Sequence, residues 1–190
     1  MTSSDFRNRF LARLMAAVAC ACMVPTLFGN PAKEFLTDKE IELIQENHEI
    51  SIRVKLYLDF AASRLKAAEQ RLSGKESEAG DPFEFLAPED MLDGYYRILE
   101  SVMRNLDDAA QRADPQEESS ILKALRSLKV SMESAFPELE ILKKIAEEKD
   151  KEHLWNQVNK AIDISKGAHE GAVLGLARQP NPTARKPPSK

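Results

Sequence analysis

The stretch "EISIRVKLYLDF", Glu49 to Phe60, decides the fold class. Ile50, Ile52, Val54, Leu56, Leu58 and Phe60 take every second position, the period of a half-buried strand. The same residues also fit a helix. Ile50, Val54, Tyr57, Ala61, Leu65, Ala68 and Leu72 recur at spacings of three and four, and Ile52, Leu56 and Phe60 form a second row at spacing four. Two rows make a broad apolar arc, as expected of a helix with two neighbours. A strand needs a partner for its backbone groups. No other segment after residue 29 alternates convincingly, so the helix is preferred.

Working outward, "LTDKE" supplies a helix start. Thr37 with Glu40 fits a capping box, and Leu36 with Ile41 fits a hydrophobic staple. No Gly or Pro follows before Gly74. One helix is therefore expected over 38–73, about 54 Å long at 1.5 Å per residue. "GKESEAGDP", 74–82, reads as a loop. Pro88, Glu89 and Asp90 suit a first helical turn, and 3,4 spacing from Leu92 to Ala110 predicts a helix over 88–113. Asp114-Pro115 breaks it. A third stripe runs Ile121, Leu122, Leu125, Leu128, Met132, Ala135, after which Pro137 either kinks the helix or restarts it. "EEKDKEH", 147–153, is polar on every face and leaves open whether 137–177 is one helix or two. A last stripe runs from Leu154 to Leu176. The expected fold is all-α: an antiparallel bundle of three to four long helices occupying 30–177. Short connections at 74–87 and 114–119 favour antiparallel neighbours.

The ends differ from this body. Arg7, Arg9 and Arg13 precede the uncharged run Leu14–Gly29, the order of a secretory signal peptide. Pro25 interrupts the run, which is short for a membrane span. Cleavage after Gly29 gives an expected signal peptide at 1–29 and a mature start at Asn30. It would also remove Cys20 and Cys22, the only cysteines, and with them any disulfide or thiolate chemistry. An uncleaved anchor and a buried N-terminal helix are the rivals. "AVAC" and "ACAC" resemble the lipidated-cysteine motif of bacterial lipoproteins but lack its leucine. The segment 178–190 holds four of the ten prolines and four basic residues with no acid, the composition of a disordered tail. Such a tail can also touch an anionic membrane surface.

Removing both ends leaves twenty basic and thirty acidic residues, a net of −10. An acidic body repels phosphate backbones, so no nucleic-acid partner is expected. The chain has no Gly-x-Ser-x-Gly, phosphate loop, dinucleotide fingerprint or His-Glu-x-x-His. No enzymatic activity and no cofactor are expected. His48, His153 and His169 each adjoin a Glu, but adjacent residues on a helix point about 100° apart and do not chelate together. Asp150 with His153, and His169, are the weak metal candidates. Arg53, Arg64 and Arg71 border the apolar arc of the first helix, where acidic partners are more expected than an anionic ligand.

Gly167, Gly171 and Gly175 form a ridge without side chains. Each weakens an isolated helix by about 1 kcal/mol, so it suits either a close helix contact, within the bundle or between copies, or a fraying end. Ile52, Leu56 and Phe60 become an interaction row if exposed. The function expected from all this is protein–protein contact by an exported, periplasmic or secreted bundle, the partner being another protein or a second copy. A ligand- or metal-binding bundle and a membrane-tethered envelope protein are the alternatives.

Overall fold

A computed structural model describes residues 35–112 and 117–178. The expected signal peptide and cleavage point, both cysteines, Asp114-Pro115 and the expected tail beyond Arg178 lie outside the described residues. Those residues contain five α-helices and no strand: α1 (Asp38–Glu46), α2 (Ile50–Leu72), α3 (Pro88–Arg112), α4 (Glu118–Glu148) and α5 (Glu152–Ala177). "EISIRVKLYLDF" is helical from Ile50 onward.

The single helix expected over 38–73 is two. Thr37 and Glu40 form the expected capping box: the Glu40 amide donates to Thr37 Oγ1 at 3.3 Å, and the Thr37 amide donates to Glu40 Oε2 at 2.8 Å. The helix then stops at Asn47, whose backbone is extended and whose Nδ2 donates to the Leu43 carbonyl at 2.8 Å. A short amide side chain offers the backbone this alternative to continuing the helix. The restart is supported from a distance. Ser120, at the start of α4, accepts from the Ser51 amide at 3.3 Å and donates to Glu49 Oε1 at 2.9 Å. Hydrogen bonds from Ser51 and then Ser120 hold the Glu49 carboxyl below the usual carboxylate range.

Two helix ends use the same device. At the end of α2, Lys75 N donates to Gln70 O and Gly74 N to Arg71 O, with Gly74 at φ +84°. This is a Schellman motif, which needs a left-handed residue. At the end of α4, Lys151 N donates to Ala146 O and Asp150 N to Glu147 O, with Asp150 at φ +50°. The polar stretch 147–153 thus contains a turn at 149–151, which divides 137–177 between α4 and α5. Asp150 is the only non-glycine with positive φ among the described residues. Asp150→Gly is expected to stabilise the protein by about 1 kcal/mol, read as a rise in the urea midpoint. Pro137 neither ends nor restarts α4, which continues through it.

The long helices pack around one core. α2 lies against α3 and α4, α5 lies against α4 and α3, and α3 touches α4 only lightly. Consecutive helices run in opposite directions: Arg53 near the start of α2 reaches Asn105 near the end of α3, and Gly175 of α5 faces Leu125 of α4. Neighbours that are not consecutive run in the same direction. The starts of α2 and α4 meet at Ser51 and Ser120, and their ends meet where Lys149 Nζ donates to the Leu72 carbonyl. Two walls of the bundle are therefore parallel, which short connections alone do not predict.

The core is formed by Val54, Leu65, Leu92, Leu99, Leu128, Leu139, Leu154 and Val158 with many alanines between them. Tyr95 of α3 enters it, its hydroxyl 2.6 Å from Ser165 Oγ of α5, and Ser165 donates to the Ala161 carbonyl at 2.7 Å. Burial pushes the Tyr95 phenol up to about 12. The described residues contain no helix long and apolar enough to cross a membrane.

Candidate functional site

The best-built polar cluster joins α1 to the bundle. Arg64 of α2 is buried, and its guanidinium meets Glu40 of α1 in bidentate fashion, at 2.8 Å to Oε1 and 2.7 Å to Oε2. Two further N–H groups of its terminal nitrogens reach the carbonyls of Phe35 at 2.6 Å and Phe60 at 3.1 Å. The Phe83 ring lies 5.1 Å from the guanidinium carbon. Gly94 of α3 makes room for this side chain, because a Cβ there would sit 3.0 Å from Arg64 Cδ and Nε. Every partner of Arg64 is protein and both carboxylate oxygens of Glu40 are engaged, so the cluster is a structural clamp.

Of the other arginines bordering the arc, Arg53 donates to Asn105 Oδ1 at 2.9 Å, and Arg71 to the carbonyls of Phe83 and Glu84. Only Arg64 has the acidic partner expected of the three among these contacts.

The sequence-nominated residues fall in separate places. Asp150 and His153 lie exposed at the α4–α5 turn. His169 lies farther along α5, between Glu133 and Phe136 of α4. Its Nε2 is 3.5 Å from Glu133 Oε1, and its ring meets Phe136 edge-on at 5.8 Å between centroids. Lys129 and then His169 hold the Glu133 carboxyl below its ordinary range. Together with Glu140, Ile162, Lys166 and Glu170, these rings border a shallow cleft of about 350 Å³. The described residues hold no group of three His, Cys, Asp or Glu able to bind a metal.

The row Ile52, Leu56 and Phe60 is graded: Ile52 is 42% exposed, Leu56 is half-buried, and Phe60 packs against the core. On the glycine ridge, a Cβ at Gly175 would meet Leu125 Cδ1 at 3.0 Å, whereas Gly167 and Gly171 face open space. Gly171→Leu is therefore expected to fold normally and to gain up to about 1 kcal/mol of helix propensity. A thermal melt checks this, and a fall in midpoint would mean that the ridge carries a contact within the chain.

Sequence spacing did not single out the outer surface of α4 and α5. Seven large apolar side chains are exposed among the described residues, and five belong to these two helices: Val130, Ile141, Trp155, Val173 and Leu174. The other two are Ile52 and Phe85. Trp155 is partly held by its neighbours, donating Nε1–H to Glu147 at 3.2 Å with Lys143 Nζ 5.9 Å from its ring. Val130 at 59% and Leu174 at 56% exposure have no comparable cover. No protein-family model, curated protein or solved structure matches the chain.

Proposed function

We propose that this chain is an exported, non-catalytic helical bundle that acts through protein–protein contact in the cell envelope or outside the cell. The observation that carries the proposal is the gathering of exposed apolar side chains on α4 and α5. Exposed apolar surface of this kind is a common mark of a contact site. The Arg64 and Glu40 side chains are engaged with each other and with backbone carbonyls of the protein itself, which leaves the α4–α5 surface as the better candidate. The basic start and uncharged run of residues 7–29 support export.

Site-specific photocrosslinking in the producing cell tests the proposal. A crosslinker at Val130 or Leu174 should capture protein outside the cytoplasm, and one at Lys55, exposed on α2, should capture much less. Equal capture at all three positions, or retention of the chain in the cytoplasm, refutes it. The intact mass of the exported chain distinguishes a free protein beginning near Asn30 from one that keeps an anchor or a lipidated cysteine.

A further inference from the structure

We propose that the outer face of α4 is a self-complementary surface on which a second copy of this chain docks antiparallel, about a twofold axis near Ser134. This inference rests on the protein-contact function proposed above and names the partner. On that face Ser127, Val130, Ser134, Pro137 and Ile141 follow one another at spacings of three and four. None is charged, although 31% of the chain is. Val130, Ser134, Pro137 and Ile141 are exposed, and Ser127 is half-buried at the end of the stripe.

The order of these residues suits a second copy. In an isologous interface, residue i of one copy meets residue j of the other, and j meets i. An antiparallel axis near Ser134 sets Val130 against Pro137 and Ser127 against Ile141, each pairing occurring twice. The flanking charges obey the same symmetry. Arg126 and Glu140 stand on one flank of the stripe, both exposed, eight residues before and six residues after Ser134, so that their midpoint falls one residue from it. Arg126 of each copy therefore faces Glu140 of the other, which gives two reciprocal ion pairs. Glu133 lies close to the axis, where two copies would repel. It is already paired with Lys129 at 2.7 Å and turned toward His169. Pro137 adds a compact, exposed apolar ring near the centre of the face. One helical face buries a small area, and interfaces below about 1,200 Å² belong to weak or transient complexes. The dimer is accordingly one that forms as concentration rises.

Sedimentation equilibrium of the purified exported chain tests this. Self-association is expected to appear through the micromolar range and to stop at the dimer, since an isologous contact closes on itself. Arg126→Glu turns both attractions into repulsions, and Glu140→Arg does the same. Each is expected to weaken the dimer by about tenfold or more. The double variant Arg126→Glu/Glu140→Arg restores both pairs and should return the dimer constant to near the starting value. Circular dichroism establishes that each variant is folded. Failure of the double variant to recover overturns the antiparallel pairing. A chain that stays monomeric but still crosslinks through Val130 to another protein overturns self-docking and leaves the contact function standing. A monomeric chain that crosslinks to nothing there overturns both.

Discussion

Arg64→Ala is expected to destabilise the protein by about 3–5 kcal/mol, the usual result of removing one partner from a buried ion pair. The loss has several sources. Glu40 would keep a carboxylate beside α2 with no cation facing it. The Phe35 and Phe60 carbonyls would lose their guanidinium donors. The space between α2 and Gly94, now filled by the Arg64 stem, would open. A urea titration followed by circular dichroism measures the total. The double variant Glu40→Leu/Arg64→Met separates charge from packing. Replacing both partners of a buried pair by apolar groups of similar size is often neutral or stabilising, so the double variant should recover most of what Arg64→Ala loses. If it remains as unstable as Arg64→Ala, the hydrogen bonds to the Phe35 and Phe60 carbonyls, together with the Glu40 half of the capping box, matter more than the ion pair.

That cluster shows how far the sequence could be read. Thr37 and Glu40 announce a helix start because a capping box is local, complete within four residues. The same Glu40 also binds Arg64, 24 positions away, and no spacing rule reaches that far. The arginine row was visible as a border to the apolar arc, but the one member given a buried acid was decided by where α1 folds back. The break at Asn47 follows the same logic. An Asn within an apolar-periodic run costs a helix only tenths of a kcal/mol, too little to predict an interruption. Ser120 helps to fix the restart at Ile50, and it comes from another helix.

Termination behaved differently at the two Schellman motifs. Gly74 marks its own position, since glycine is the usual left-handed residue. Asp150 does not, because the left-handed conformation is only an occasional state for Asp. The charge-rich stretch around it therefore left one helix or two undecided. The histidines and Asp150 were nominated by residue type alone. The bundle separates His153 from His169 by most of the length of α5, and it uses Asp150 to turn the chain. The concentration of exposed apolar groups on α4 and α5 was not legible for a related reason. Val130 and Ile141 interrupt no periodic stripe, and a lone apolar residue on a helix exterior is ordinary. They become informative only when the structure shows them on the same outer face.

The sharpest contrast on α4 lies between neighbours in sequence. Leu142→Ala is expected to cost about 2–5 kcal/mol, whereas Ile141→Ala should change stability by less than about 0.5 kcal/mol. Both substitutions remove similar aliphatic volume from the same helix. Leu142 is fully buried among the core residues of the four long helices, so its truncation leaves a cavity whose walls relax only in part. Ile141 points about 100° away and is 44% exposed, so water fills the place of its side chain. Denaturant midpoints of the two variants, measured at a concentration where the chain is monomeric, give the comparison. Repeating it at high concentration adds a second readout. If the α4 face pairs with itself, Ile141→Ala weakens association while leaving the monomer's midpoint in place, because Ile141 would meet Ser127 of the other copy. A large monomer loss for Ile141→Ala would instead mean that this side chain is covered within the bundle, and that the outer face of α4 is not free to dock anything.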